Sequence, residues 1–162
     1  MIAIGIDPGV SGAISAIKDG TELVGVFEMP VLRAVKSAKV VRSVDGAGVA
    51  RVIRDIMQQD PQEYYSCVIE QTSSMPGQGV ASTFSMGHSR GVVEGVVQTL
   101  GLPLTLVTPT VWKKQMKLTS DKEFVRAHIQ RLFPSTDLSR KKDHDKAEAI
   151  ALALWLYRDQ FD

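Results

Sequence analysis

The sequence contains very little of several features that would assign a protein to a class at once. Among its 162 residues there is a single cysteine, Cys67, and aromatic residues make up only 6%. One cysteine cannot build a disulfide scaffold, and no apolar run approaches the roughly 20 residues of a membrane span. The formal net charge is only +1 and 44% of the residues are hydrophobic, which excludes a disordered chain.

The length predicts one domain spanning residues 1–162, because domains commonly hold about 150 residues. The N-terminal apolar stretch does not resemble a signal peptide, since Asp7 interrupts it and Lys18 follows it instead of preceding it. We therefore expect a reducing, cytoplasmic location. In that setting Cys67, inside an apolar segment, is expected to be a core residue.

The near-neutral total conceals a segregated charge. Residues 31–54 hold six basic residues and one acidic residue, and residues 105–148 hold ten basic and six acidic residues. Residues 1–30 and 55–70 together hold eight acids and one base. Two basic segments can present a local positive face to a polyanion such as DNA. For either segment alone, a solvated surface is the alternative.

Hydrophobic periods and turn signals predict the element order β-β-β-α-β-α-β-α-α. Strands are predicted at 2–6, 13–17, 22–28, 66–70 and 102–107. Helices are predicted at 45–58, 80–100, 121–133 and 144–158, with a short helix from Thr108 to Trp112. Ser120 to Glu123 has the capping-box form, and residues 30–44 are predicted to be a long basic loop. The order predicts an α/β fold with a mixed five-stranded sheet flanked by helices.

Four acidic residues occupy unusual positions. Asp7 and Glu70 each end an apolar strand, and Asp145 and Glu148 lie at i and i+3 near the start of the last helix. A carboxylate at such a strand end needs a cation or hydrogen-bond donors. If the two strands are neighbours and the helix crosses their edge, the four acids meet, and oxygen ligands of this kind select Mg²⁺ or Mn²⁺. Taken singly, each acid fits a turn or a helix N-terminus.

Three segments together resemble the signature of the RuvC-type Holliday junction resolvases. They are Ile4-Gly5-Ile6-Asp7-Pro8-Gly9, Val68-Ile69-Glu70-Gln71 and the stretch from Asp145 to Ala153. The loop from Met75 to Val80, with Phe84, Gly87 and Gly91 after it, is similar to the phage-encoded branch of that family. The first segment alone would also fit the actin-like ATPases, but the three occur in order along the whole chain.

The resemblance implies a ribonuclease H-like fold, a homodimer and a Mg²⁺-dependent endonuclease that acts on four-way DNA junctions. Its catalytic and metal-binding residues would be Asp7, Glu70, Asp145 and Glu148, which would hold two Mg²⁺ or Mn²⁺ ions. Glu148 stands where many members have an aspartate. His144 is the alternative to Asp145, because some members place a histidine there, but the family alignment favours Asp145. A phage-encoded protein would act in the host cytoplasm.

DNA binding needs a further set of groups. The predicted contacts are basic residues beside the last three helices, namely Lys113, Lys114, Lys117, Lys122, Arg140, Lys141 and Lys142. The resemblance places one DNA-contacting lysine at Lys122 and another near Lys113, while Trp112 is expected in the core. The basic loop could follow a DNA backbone or be merely solvated. Cellular members carry an aromatic wedge soon after the glutamate. Here Met75 is the predicted substitute, since apolar side chains can insert between base steps.

Gly87, Gly91 and Gly95 recur every four residues within the predicted helix 80–100. Glycine inside a helix costs about 1 kcal/mol relative to alanine, so the stripe predicts the close approach of another backbone. That backbone is either the chain's own sheet or a second copy in a two-fold dimer.

The predicted activity is the resolution of junctions by paired symmetrical nicks. The alternatives are a debranching nuclease that cuts flaps and forks, and a branched-DNA binding module without catalysis. An actin-like ATPase domain is a third, although that fold needs two such domains around its nucleotide.

Overall fold

A computed structural model describes residues 1–36, 38–74 and 76–161. Its central sheet has five strands in the order β3-β2-β1-β6-β7, and β4 and β5 form a separate two-stranded sheet. The strands are β1 (Ile2–Asp7), β2 (Ala13–Lys18), β3 (Glu22–Glu28), β4 (Val31–Lys36), β5 (Lys39–Val44), β6 (Tyr65–Glu70) and β7 (Leu104–Val107). The helices are α1 (Gly46–Gln59), α2 (Val80–Thr99), α3 (Pro109–Gln115), α4 (Lys122–Leu132) and α5 (His144–Phe161), with a 3₁₀ turn at Lys141–Asp143 before α5.

The central sheet is mixed, as predicted. The strand pairs β1–β2 and β2–β3 are antiparallel, while β1–β6 and β6–β7 are parallel. Asp19 and Gly20 both have positive φ, 49° and 69°, and form the tight turn between β2 and β3, for which Asp-Gly is a typical sequence. The α/β architecture with a five-stranded mixed sheet is therefore confirmed.

The prediction of a loop over residues 30–44 was wrong. The structure forms an antiparallel hairpin there, in which Val31 pairs with Val44 and Lys36 with Lys39. Valines lie on both sides of the turn, and β-branched residues favour strands, although the apolar and basic residues follow no strict alternation. No Gly, Asn or Pro marks the turn, where Ala38 has φ 61°, so the usual hairpin signal is missing.

Two smaller predictions also need correction. The N-cap of α4 is Asp121, whose side chain accepts from the backbone N–H groups of Glu123 and Phe124, so Ser120 does not form the capping box. The last strand begins at Leu104, two residues later than predicted, because Pro103 has no N–H to donate to a ladder. Both errors move an element boundary without changing the architecture.

Two apolar layers cover the two faces of the sheet. One contains Ala3 and Val68 with residues of α3, α4 and α5, and the other contains Ile4 and Cys67 with residues of α1 and α2. Cys67 is fully buried, as expected of a core residue. None of the helices in the described part of the chain is long and apolar enough to cross a membrane.

Helix α5 lies directly on the central strand β1 because Gly5 leaves room for it. A Cβ at Gly5 would come within 2.3 Å of the Ala149 carbonyl oxygen and 2.4 Å of the Ala153 nitrogen. From the neighbouring strand, the Ser15 hydroxyl donates to the same Ala149 carbonyl at 2.8 Å. This close approach fixes the first turns of α5 relative to the end of β1.

Candidate active site

Two of the four acids predicted from the sequence meet at one edge of the central sheet. The parallel strands β1 and β6 run in register, with Ile6 opposite Ile69, so Asp7 and Glu70 follow at neighbouring strand ends. Asp7 is followed by a turn in which the Gly9 backbone N–H donates to its carboxylate at 3.3 Å. Parallel strands present their carboxyl ends at the same edge, which explains how residues 63 positions apart become neighbours.

Helix α5 brings the other two acids to this edge. Asp7, Asp145 and Glu148 each offer a carboxylate oxygen, and these three oxygens lie within 4.8 Å of one another. Glu148 is buried and Asp145 is partly exposed. Glu70 does not belong to that group of three, but its charge raises the pKa of Asp7, and the charge of Glu148 raises the pKa of Glu70. The structure thus gathers all four predicted acids around one edge.

Two of the acids, Asp7 and Glu70, have raised pKa values. Burial, the largest cause, together with the carboxylate of Glu70 raises the pKa of Asp7 to about 7, and Asp145 and Glu148 add to the effect. Burial also raises the pKa of Glu70, although the hydrogen bond from Trp112 opposes that change. A carboxyl with this pKa is partly protonated near neutral pH when only protein surrounds it.

Two of the predicted DNA-binding lysines contact these acids. The Lys113 ammonium lies 2.5 Å from Glu148, and the Lys122 ammonium lies 3.2 Å from Asp145 and 3.7 Å from Glu148. Partial burial lowers the pKa of Lys122, but the carboxylates of Glu148 and Asp145 outweigh burial, so the net shift is upward. Two lysine ammonium groups therefore balance part of the negative charge of the acids.

Trp112 is a site residue that the sequence reasoning assigned only to the core. It is fully buried, as expected, yet its indole N–H donates to the Glu70 carboxylate at 2.8 Å. The Lys113 ammonium also lies 5.1 Å from the centre of the indole ring. Helix α3 begins directly after β7, the strand beside β6, and this places Trp112 within reach of Glu70. Pro109, at the first position of α3, is the sequence signal that predicts this helix.

The structure separates the roles of His144 and Asp145. Asp145 supplies an oxygen to the group of three, whereas His144 does not belong to that group. The His144 ring lies 2.6 Å through Nδ1 from the Lys141 carbonyl and 3.1 Å through Nε2 from the Asp145 carboxylate. A carbonyl only accepts, so Nδ1 carries a proton there, and Nε2 donates to Asp145 only when the imidazole is protonated.

The remaining predicted DNA contacts differ in their surroundings. Lys114, Lys117, Lys141 and Lys142 are exposed. Arg140 is instead held by buried Asp143, to which its guanidinium donates at 2.7 and 3.1 Å. Those bonds lower the pKa of Asp143 to about 2. Met75, the predicted wedge, lies outside the described residues.

The glycine stripe of α2 faces away from the chain's own sheet. A Cβ at Gly87, Gly91 or Gly95 would meet no atom within 4 Å. Packing against the chain's own sheet, one of the two explanations open from the sequence, is therefore wrong. Gly91 and Gly95 line a groove between α1 and α2, together with Ala50 and Arg54.

The donor set suits a hard divalent cation. All the candidate ligand atoms are carboxylate oxygens, the kind that Mg²⁺ and Mn²⁺ prefer, and neither cysteine nor a ring nitrogen belongs to the group of three. The carboxylates lie close enough together for positive charge to stabilise them, and two lysine ammonium groups already contact Asp145 and Glu148. Divalent cations would supply that charge.

No protein-family model and no curated protein matches the sequence. The fold, however, superposes on T. thermophilus RuvC in complex with a Holliday junction substrate, with a TM-score of 0.64 and 16% identity over 99% of this chain and 95% of that chain. A second Thermus thermophilus RuvC structure gives 0.56 and 16% over 99% and 96%. The yeast mitochondrial Holliday junction resolvase Ydc2 gives 0.45 and 14% over 97% and 78%. The chain therefore has the mixed α/β, ribonuclease H-like fold of RuvC.

Proposed function

We propose that this protein is a divalent-metal-dependent endonuclease that resolves four-way DNA junctions by paired, symmetrical nicks. The observation that carries the proposal is the carboxylate cluster at the end of the central strand, where Asp7, Asp145 and Glu148 converge within 4.8 Å. The fold shared with T. thermophilus RuvC, which was solved with a Holliday junction substrate, supports the choice of substrate.

Asp7, Glu70, Asp145 and Glu148 would hold the metal, with Mg²⁺ or Mn²⁺ as the ions and two of them in each site. When bound, the ions supply charge neutralisation at the scissile phosphate and a lowered pKa for the attacking water. Asp7 is central in this arrangement, because it ends the middle strand and faces acids from both β6 and α5.

The chain's other side chains prepare and complete the site. Trp112 orients the Glu70 carboxylate through its indole N–H, and the His144 ring lies 3.1 Å from the Asp145 carboxylate. Lys113 and Lys122 neutralise the acids in the absence of metal. With divalent cations bound, the Lys113 and Lys122 ammonium groups would be available to the phosphates beside the scissile bond.

A homodimer would present two such sites to the two like strands of a junction, which has near two-fold symmetry. The open stripe of Gly87, Gly91 and Gly95 on α2 supports a self-complementary interface, since it lets a second backbone approach closely. Gly91→Leu should convert a dimer into a monomer in sedimentation equilibrium, because the larger side chain blocks that approach. An unchanged mass for this variant would place the interface elsewhere.

The activity is tested by cleavage of a four-way junction, a flap, a fork and a linear duplex in parallel. Each substrate is incubated with Mg²⁺, Mn²⁺ or EDTA, using wild type and Glu70→Gln, a variant of nearly the same size without the charge. Paired nicks in the junction alone, abolished by EDTA and in Glu70→Gln, are the expected result.

The other outcomes separate the remaining functions. Metal-dependent cutting of every branched substrate would indicate a general debranching nuclease. Tight junction binding without cutting in either metal would leave a branched-DNA binding module. A clear affinity for ATP in calorimetry would favour the actin-like ATPase instead.

A further inference from the structure

The hairpin of β4 and β5, here called the β4–β5 arm, takes no part in the site described above. It is a two-stranded ribbon outside the five-stranded sheet. Its base is anchored, because Val44 is buried, Val31 packs against the same core, and the Asp45 N–H donates to the Pro30 carbonyl at 2.9 Å. Beyond that base, the side chains from Leu32 to Lys36 are exposed. The arm therefore projects from the body of the protein.

The arm sets like charges directly opposite each other at two positions. Arg33 pairs with Arg42, and Lys36 pairs with Lys39. Like charges at directly opposed positions destabilise a two-stranded ribbon. Within residues 1–36, 38–74 and 76–161, none of these four side chains forms an ion pair. Each pair is therefore suited to an anion that comes from outside the chain.

The two pairs lie on opposite faces of the arm, because side chains alternate along a strand. Arg33 and Arg42 share the face of Val31, whereas Lys36 and Lys39 lie on the other face. The two pairs thus carry the same charge on the same hairpin, but their side chains point to opposite faces. This difference makes each pair a control for the other.

The arginine face looks onto the candidate active site. Arg33 and Arg42 line a groove together with Lys142 and Asp145, one of the clustered acids. Arg42 also donates to the Ser11 hydroxyl at 3.4 Å, in the loop that follows β1. The groove therefore joins the arm to the edge of the sheet where the acids meet.

The charges along this groove favour a polyanion. Its basic residues are Arg33, Arg42, Lys142 and Lys146, and its acids are Glu28 and Asp145. Lys146 is engaged by Glu28 at 3.5 Å, and Asp145 is engaged by Lys122 at 3.2 Å. The two arginines and Lys142 are left to attract phosphate, and arginine suits phosphate because its planar fork donates two parallel hydrogen bonds.

We propose that the β4–β5 arm is a second DNA-binding element, in which Arg33 and Arg42 hold the phosphodiester backbone next to the strand that enters the carboxylate cluster. The inference rests on the proposed nuclease function, since it assigns DNA to the groove beside that site. It adds a contact that lies on a different segment from the basic residues of α3, α4 and the turn before α5. The phosphate relieves the repulsion between the paired arginines.

The test compares Arg33→Gln/Arg42→Gln with Lys36→Gln/Lys39→Gln in binding to a fluorescent four-way junction. Binding is measured in EDTA, so that no cleavage occurs, over a series of salt concentrations. The arginine variant should bind the junction about tenfold more weakly, with a salt slope reduced by roughly one to two, at 0.9 for each lost phosphate contact. The lysine variant should bind nearly as wild type, because its cations point away from the groove.

Several outcomes would overturn the proposal. Equal weakening by the two variants would mean that only total charge matters, and unchanged affinity of the arginine variant would remove the arm from DNA binding. A change in sedimentation without a change in affinity would make the arm a contact between copies of the chain.

Thermal unfolding checks that the arginine variant is folded. Its thermal midpoint should equal or exceed that of wild type, since a repulsive pair is removed.

Cleavage of the junction by wild type in Mg²⁺ runs in parallel and separates the two hypotheses. If wild type cuts and binds the junction while the arginine variant does so equally well, the arm proposal fails and the nuclease stands. If wild type neither binds nor cuts branched DNA, the proposed function itself fails, and the arm proposal fails with it.

Discussion

Asp7→Asn offers a test of the carboxylate cluster that does not depend on cleavage. In the metal-free protein, burial and the charges of Glu70, Asp145 and Glu148 raise the pKa of Asp7 to about 7. The folded protein therefore holds a proton on Asp7 that the unfolded chain releases near its ordinary value of 3.8. Between these two pH values the folded state binds more protons, so stability falls as the pH rises.

The size of the effect follows from the shift. A pKa raised from 3.8 to about 7 corresponds to roughly 4 kcal/mol at most, lost progressively as the pH rises toward 8. Solvent reaching a half-buried carboxyl reduces this figure, and about 1–3 kcal/mol is expected. Asparagine has nearly the same shape but no charge, so Asp7→Asn should remove this loss of stability.

The assay is urea unfolding of wild type and Asp7→Asn in EDTA at several pH values from 5 to 8. The informative quantity is the difference in the free energy of unfolding between the two proteins. His128, whose pKa is lowered chiefly by burial, makes both proteins more stable as the pH rises over part of the same range, and this contribution cancels in the difference. The free energy of unfolding of Asp7→Asn should increase relative to that of wild type as the pH rises. Parallel curves for the two proteins would refute the clustering of charge around Asp7.

Added Mg²⁺ should make wild type more stable than Asp7→Asn, the reverse of the order expected in EDTA at high pH. A bound cation stabilises the folded state in proportion to the logarithm of its concentration over its dissociation constant. Wild type should gain more from Mg²⁺ at pH 8 than at pH 6, since metal competes with the proton for Asp7. Equal stabilisation of Asp7→Asn by Mg²⁺ would remove Asp7 from the proposed ligands.

Three further predictions follow from the same geometry. Trp112→Phe removes the donor that opposes the rise in the pKa of Glu70, so the acid limb of the pH–rate profile for cleavage should move to higher pH, with the rate recovering at alkaline pH. Lys122→Ala should weaken binding across DNA sequences and lower the salt slope by about one. Gly5→Ala forces a Cβ into the α5 backbone, which should reduce the free energy of unfolding by about 1–3 kcal/mol in urea titrations and weaken stabilisation by Mg²⁺. Gly79→Ala, where a Cβ meets nothing but the N-cap of α2 is changed, should cost less stability and leave stabilisation by Mg²⁺ unchanged.

The five-stranded sheet was predictable because each of its strands carries a strong local signal. The strands β1, β2 and β6 are short apolar runs, and the Asp19-Gly20 turn joins β2 to β3. The β4–β5 arm escaped prediction because its stabilising contacts lie at the base, while its turn lacks the residues that normally accept positive φ. A hairpin whose ends are anchored by distant core residues cannot be recognised from its own segment.

The candidate site was predictable only as a set of acids. Asp7, Glu70, Asp145 and Glu148 stand at element ends that a parallel sheet and a crossing helix bring together. The sequence placed the four correctly relative to these elements. It gave no sign of how their charge is balanced, because that balance depends on side-chain directions across three different helices.

Trp112 and Lys113 show why the rest of the site required the structure. They are adjacent in the sequence, and one is fully buried while the other looks like one of several basic residues along α3. Only their position beside the ends of β6 and α5 makes one a donor to Glu70 and the other a partner of Glu148. The indole N–H stabilises the Glu70 carboxylate by a hydrogen bond, and the ammonium neutralises Glu148, whereas the sequence had matched these acids with divalent cations alone. In the proposed function, such a site would remain folded without metal, because the lysine ammonium groups would balance the acids until divalent cations replaced them.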